Sequence, residues 1–175
     1  MAHNIKTKAM KKNSILVLVA LLIGSVVSAQ EISKNAIGVR LGDSDGFGVE
    51  ANYQRAIGSN NNRLEFGLGI RDNDNYEAFK LVGLYEWVWN IDGGFNWYAG
   101  PGAGVGQVNG KDGIFENDRF EDEDETFAFV AGVAGIEYNF DFPLLLSLDV
   151  RPEFGFGDYR DDLDLDIAIS ARYQF

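Results

Sequence analysis

The chain has 175 residues, no Cys, one His, 21 Gly and a formal charge of −12, which allows one compact domain and excludes a disulfide scaffold or a Cys-ligated metal centre. So acidic a balance argues against nucleic acid as a partner, because neutralising phosphates takes clustered Lys and Arg.

Lys6, Lys8, Lys11 and Lys12 precede an apolar run from Ile15 to Val27, and Val27-Ser28-Ala29 offers the small side chains that a signal peptidase reads. A spanning helix needs ~20 apolar residues, whereas this run is shorter and broken by Gly24 and Ser25. Residues 1–29 are therefore expected to be a cleaved secretory signal and 30–175 a single domain. Cleavage removes four bases, no acid and His3, leaving a chain without histidine at a formal −16.

After residue 30 a period of two recurs, and no helical period persists. Residues 36–42 set Ile37, Val39 and Leu41 against Arg40, and 46–56 set Phe47, Val49, Ala51 and Tyr53 against Glu50 and Asn52. Leu64, Phe66, Leu68 and Ile70 in 63–71 oppose Glu65, Gly67 and Gly69. In 77–89, Phe79, Leu81, Tyr85, Trp87 and Trp89 oppose Lys80 and Glu86. Residues 95–107 alternate Trp97, Ala99, Ala103 and Val105 with Tyr98 and a row of glycines, and 126–139 place Val130, Ala134, Ile136 and Tyr138 opposite Ala131, Val133 and Glu137. The next strand, 144–154, alternates Leu144, Leu146, Leu148, Val150, Pro152 and Phe154 with Ser147, Asp149, Arg151 and Glu153. The last alternates Leu163, Leu165, Ile167, Ile169, Ala171, Tyr173 and Phe175 with Asp164, Asp166, Ser170 and Arg172.

Eight strands follow from this pattern, all but the seven-residue first of about 9–13 residues, close to the ~9–11 that cross a bilayer when tilted. Ile57–Asn62, Asn90–Gly94 and Asn139–Pro143 read as tight turns. Asp43–Asp45, Asp72–Tyr76, Val108–Glu125 and Gly157–Asp162 all carry acids. In an up-and-down meander alternate connections share an end, so one rim is tightly turned and the other acidic.

Alternation alone leaves open which face is inside. A soluble lipocalin-like barrel hides its apolar face around an apolar ligand; a transmembrane barrel displays it to lipid. The aromatics favour display: Trp87, Trp89, Trp97, Phe140 and Tyr173 gather at the short-turn end, as interface belts do. Phe47, Phe79, Phe127, Phe154 and Tyr159 are expected to form the opposite girdle. The other face carries Arg40, Glu50, Glu65, Lys80, Glu86, Glu137, Asp149, Arg151, Glu153, Asp164, Asp166 and Arg172. Inside a barrel these charges must pair, because an isolated buried charge is costly. Arg151 between Asp149 and Glu153, and Arg172 opposite the Asp164/Asp166 strand, are expected to act as partners.

The closing Tyr173-Gln174-Phe175 resembles the assembly signal of Gram-negative outer-membrane barrels, and the chain with its Tyr98-to-Gly104 segment resembles the small eight-stranded OmpA/OmpX type. The resemblance implies an all-β fold, an eight-stranded antiparallel up-and-down transmembrane β-barrel in the outer membrane. It also implies insertion by the barrel-assembly machinery with Tyr173 and Phe175 as the signal, and contact with outer-membrane lipids and lipopolysaccharide. It carries over the barrel alone, so no wall-tethering role is implied.

No enzyme is expected. Barrel enzymes that use His with Ser have no mature histidine to match here, and neither Ser147 nor Ser170 has an evident base. Glycines 100, 102, 104 and 106 lack the Lys-Ser/Thr of a phosphate loop and are read as making room in a narrow barrel. The acidic run 121–125 has no EF-hand spacing and reads as a solvated loop rather than a metal site. No cofactor is expected. The function expected is a structural or surface-interaction role with an extracellular partner at the acidic loops, not a wide pore, because eight strands enclose room only for side chains.

Overall fold

A computed structural model describes residues 32–42, 48–72, 76–110, 125–156 and 162–175. Eight strands form β1 (Asn35–Leu41), β2 (Val49–Ile57), β3 (Asn62–Asp72), β4 (Tyr76–Asp92), β5 (Phe95–Gly110), β6 (Glu125–Asn139), β7 (Leu144–Phe156) and β8 (Leu163–Gln174). Each pairs antiparallel with its neighbours in chain order, and β1 pairs with β8, so the sheet closes into an up-and-down barrel without an open edge. The closing seam runs from Ala36↔Gln174 to Leu41↔Ile169. Just below it, Asn35 and Phe175 exchange backbone hydrogen bonds of 3.0 and 2.9 Å. The expected signal segment, Phe47, Tyr159 and the acidic run 121–124 lie outside the described residues.

The wall is uneven. β1 has 7 residues, as many as the expected 36–42, while β4 and β5 have 17 and 16 and outrun the expected 77–89 and 95–107. The turn expected over Asn90–Gly94 shrinks to Gly93 and Gly94, because the Asn90 amide itself organises it. Its Nδ2 donates to Gly93 O at 3.0 Å and to Phe95 O at 3.2 Å, and a register shift between Asn90 and Asp92 carries the strand on to Asp92. Gly93 has φ 52°, where a side chain would be strained.

Alternation decides the two faces of every strand. On β8 Leu163, Leu165, Ile167, Ile169 and Tyr173 are exposed, while Asp166, Ala168, Ser170 and Arg172 are buried. From Leu163 to Tyr173 is ten residue steps; at ~3.3 Å per step and a tilt of ~40°, the apolar side of this strand is ~25 Å tall.

Candidate functional site

The barrel's polarity is inverted relative to a water-soluble protein. Its outward side chains are apolar: Ile70, Ile167 and Leu163 are 65, 61 and 66% exposed. Outward charges on the strands stand only near their ends, at Arg55, Asp72, Glu77 and Asp92. Arg40, Glu50, Glu65, Lys80, Glu86, Glu137, Asp149, Arg151, Glu153, Asp166 and Arg172 are buried in the lumen, and Asp164 is half-buried on the same face near the end of the barrel away from the short turns.

These charges meet across the lumen. Arg40 binds Asp149 through Nη2 at 2.7 Å and through Nε at 3.1 Å, and its Nη1 binds Asp166. Arg151 reaches Glu50 at 2.8 Å and Glu65 at 3.2 Å. Arg172 donates to Glu65 at 2.9 Å, to Asn52 Oδ1 at 3.1 Å and to Ser147 Oγ at 2.8 Å. Lys80 lies 3.2 Å from Glu50 and 3.3 Å from Glu153. Arg151 finds its acids on β2 and β3, not at Asp149 and Glu153 on its own strand, and Arg172, which shares β8 with Asp164 and Asp166 and does not stand opposite them, finds its partners on β2, β3 and β7. Side chains two apart on a strand stand side by side, whereas those on facing walls of a narrow barrel meet tip to tip.

Arg63 is a cation the sequence reading left out. It is 3% exposed, binds Glu86 through Nε and Glu137 at 2.8 Å through Nη2, and stacks its guanidinium 4.7 Å from the Tyr98 ring centre. The signal was present: Arg63 shares the parity of Glu65, one residue inside the turn-side end of β3. Tyr98 links this lower cluster to the upper one by donating to Asp149 Oδ2 at 3.2 Å, and Asn96 donates to Glu137 at 3.2 Å.

The lumen is not charged throughout. Val82, Leu84, Val88, Tyr98, Phe127, Phe129, Ala131 and Val133 form an apolar cluster along β4, β5 and β6. Phe127 therefore does not join an outer girdle. It shares the inward parity of Ala131 and Val133 and is 2% exposed. The glycine row explains how it fits: a Cβ on Gly106 would collide with the Phe127 ring and one on Gly104 with the Phe129 ring. Phe79 and Phe154 do face outward, at 37 and 43% exposure.

At the turn end the expected interface aromatics stand outside. Trp89 and Trp97 stack at 4.1 Å, Tyr85 and Trp87 pack edge-on at 5.3 Å, and Phe95, Tyr138, Phe140 and Phe142 form a chain of ring contacts of 4.5 to 5.1 Å. Tyr173 and Phe175 lie 6.2 Å apart on the closing strand's outer side. The mouth of the lumen at this end is filled by Ile32 and Ser33 against Ala36, Gln54, Arg63, Glu137 and Leu145, leaving a void of about 10 Å³, about one water.

The contacts these groups make are ion pairs and hydrogen bonds. Ser147 is occupied by Arg172, and Ser170 is buried on the seam beside Arg40. Among the described residues no group of three or more acids or other ligands is arranged to hold a metal ion, since guanidinium groups and Lys80 stand between the carboxylates.

No protein-family model matches this sequence, and no curated protein sequence matches it. Solved structures do. The N-terminal β-barrel domain of Pseudomonas aeruginosa OprF matches with a TM-score of 0.63 at 10% identity, covering 83% of this chain and 100% of that one. Neisserial surface protein A matches with a TM-score of 0.51 at 11% identity, over 81% of this chain and 94% of that one. Ail, the attachment invasion locus protein of Yersinia pestis, gives a TM-score of 0.51 at 16% identity, over 82% and 97%. The fold is that of the small eight-stranded outer-membrane β-barrels, the OmpA/OmpX type.

Proposed function

We propose that this chain is an integral outer-membrane β-barrel without catalytic activity, whose role is structural or interactive at the cell surface. The observation that carries the reading is the inverted polarity: an apolar exterior ~25 Å tall between aromatic and charged rims, wrapped around a buried ion-pair lumen. In water such an exterior would be an aggregation surface far larger than monomers tolerate, whereas in lipid it matches its solvent. Outward Arg55, Asp72, Glu77 and Asp92 stand near strand ends, where water is accessible.

In this reading the short turns face the periplasm and the acidic connections, above all 111–124, face outward toward lipopolysaccharide and an extracellular partner. Tyr173 and Phe175 serve the barrel-assembly machinery, and the segment 1–29 directs export. The aromatic chain Phe95–Tyr138–Phe140–Phe142 and the Trp89–Trp97 stack anchor the periplasmic interface. A wide pore is not supported, since cross-lumen ion pairs and the seated Ile32 fill the path.

A soluble barrel holding an apolar ligand would need an apolar cavity on its axis, where this chain has Arg151 paired with both Glu50 and Glu65. Fractionation of cells exporting the full chain tests the reading. Recovery in outer membranes, with a gel band whose mobility changes on heating, is the expected result. Recovery as a detergent-independent soluble monomer in the periplasm would overturn it.

A further inference from the structure

The outer wall carries a concavity of about 380 Å³ crossing five strands, β1, β8, β7, β6 and β5. One side is a continuous cross-strand ladder, Val39↔Ala171↔Leu146↔Tyr138↔Phe95. The other is the next outward ladder toward the acidic connections, from Leu41 to Ile136. The floor is the backbone of the residues between, including Ser170 and Ser147, whose side chains point inward. Depth comes from Ala171, the small member of its ladder.

Four strand spacings of ~4.8 Å make this trench ~19 Å long. Because ladders run across tilted strands, it climbs from the turn-end rim at Phe95 toward the middle of the wall. Its dimensions suit one extended acyl chain, and its lining is almost wholly apolar. At the lower end the ladder continues to a carboxylate: Asp92, exposed, is paired directly with Phe95. The sequence along the ladder is therefore an anion at the rim, two aromatic rings at interface depth, then aliphatic side chains.

We propose that this trench holds one acyl chain of a phospholipid whose headgroup carries an ammonium group, with that ammonium beside Asp92. The proposal rests on the outer-membrane reading and adds a specific lipid partner to it. A chain in the trench gains contacts with a fixed wall that mobile bulk lipid does not supply, which is how association proceeds where both alternatives are equally apolar. The exposed carboxylate selects an ammonium headgroup over an anionic one, and does so modestly because water screens it.

The test reconstitutes the full barrel in vesicles of equal palmitoyl-oleoyl phosphatidylethanolamine and phosphatidylglycerol, extracts it in mild detergent and weighs the retained lipid by native mass spectrometry. One phosphatidylethanolamine per barrel is expected. Ala171→Trp, which fills the trench, should cut retention about tenfold, equivalent to ~1.4 kcal/mol or about ten carbon–carbon contacts. Ala171→Leu should give a smaller loss in the same direction, and heat-dependent mobility reports that each variant is folded. Asp92→Asn should keep retention and lower the preference for phosphatidylethanolamine about two- to fivefold. Unchanged retention in folded Ala171→Trp, equal retention of the two lipids by the unaltered chain, or a dimer mass abolished by Ala171→Trp would each overturn the proposal. A barrel that enters vesicles yet retains no lipid overturns the trench alone; one that never enters them overturns the membrane reading as well.

Discussion

Replacing Arg63 by Met removes the guanidinium that binds Glu86 and Glu137 and covers the face of Tyr98. Glu137 keeps its hydrogen bond from Asn96, but Glu86, with no solvent exposure, loses the cation directly opposite it on β3. Removing one partner of a buried pair costs ~3–5 kcal/mol because a charge is left without compensation, and Arg63→Met is expected in that range. Arg151→Met provides the contrast. Its partners are shared, Glu50 with Lys80 at 3.2 Å and Glu65 with Arg172 at 2.9 Å, so each carboxylate keeps a cation and the cost should fall below ~3 kcal/mol. Urea unfolding in phospholipid vesicles, followed by tryptophan emission, measures both; Trp87 sits in register with Asn62, next to the altered site. The double variant Arg63→Met with Glu86→Met should recover at least half of the loss, since apolar replacement of a whole pair approaches neutrality. A cost below ~1 kcal/mol for Arg63→Met, or a larger cost for Arg151→Met, would refute the view that pairing in this lumen is locally apportioned.

Ile167→Arg places a cation on the outer wall where the side chain is now 61% exposed; it should destabilise the inserted barrel by ~2–4 kcal/mol in the same unfolding assay. Gly104→Val drives side-chain atoms into the Phe129 ring and should cost ~1–3 kcal/mol as overpacking, with partial recovery when Phe129→Ala is added. Deleting Phe175 removes both backbone hydrogen bonds to Asn35 at the foot of the closing seam, so pulse-labelled cells should show slower appearance of the heat-sensitive barrel band and more periplasmic aggregate; an unchanged rate would refute its assembly role.

Strand number, order and facing were legible because the period of two is kept through uninterrupted runs, as in β8, where every outward residue from Leu163 to Tyr173 is apolar. Ends were less legible. Nothing in a hydropathy pattern reveals that Asn90 folds its amide back onto Gly93 and Phe95, which is what lets β4 and β5 run on to a two-residue turn. Pairing was legible only as a requirement: parity showed that Arg151 and Arg172 must find acids, but which acids depends on shear and tilt, which set the cross-lumen neighbours and do not appear in any one strand. Arg63 was overlooked because it stands at a turn-side end, where a charge ordinarily reads as solvated.

The misplaced Phe127 points to the more general lesson about this lumen. A narrow barrel must fill its axis, and this one does so by two different means. Ionic side chains from every strand but β5 reach into the lumen and pair with one another, while on β5 and β6 the rings of Tyr98, Phe127 and Phe129 occupy room left by glycines of the adjacent strand. The two fillings tolerate different changes. The ionic side depends on charge balance, so neutral replacement of one member is costly while replacement of a pair is mild. The aromatic side depends on volume, so Gly104 and Gly106 admit no Cβ without displacement of a ring, whatever its polarity. A charged inward row announces itself in the sequence, whereas a glycine row opposite inward phenylalanines becomes informative only once the register Gly104↔Phe129 and Gly106↔Phe127 is known.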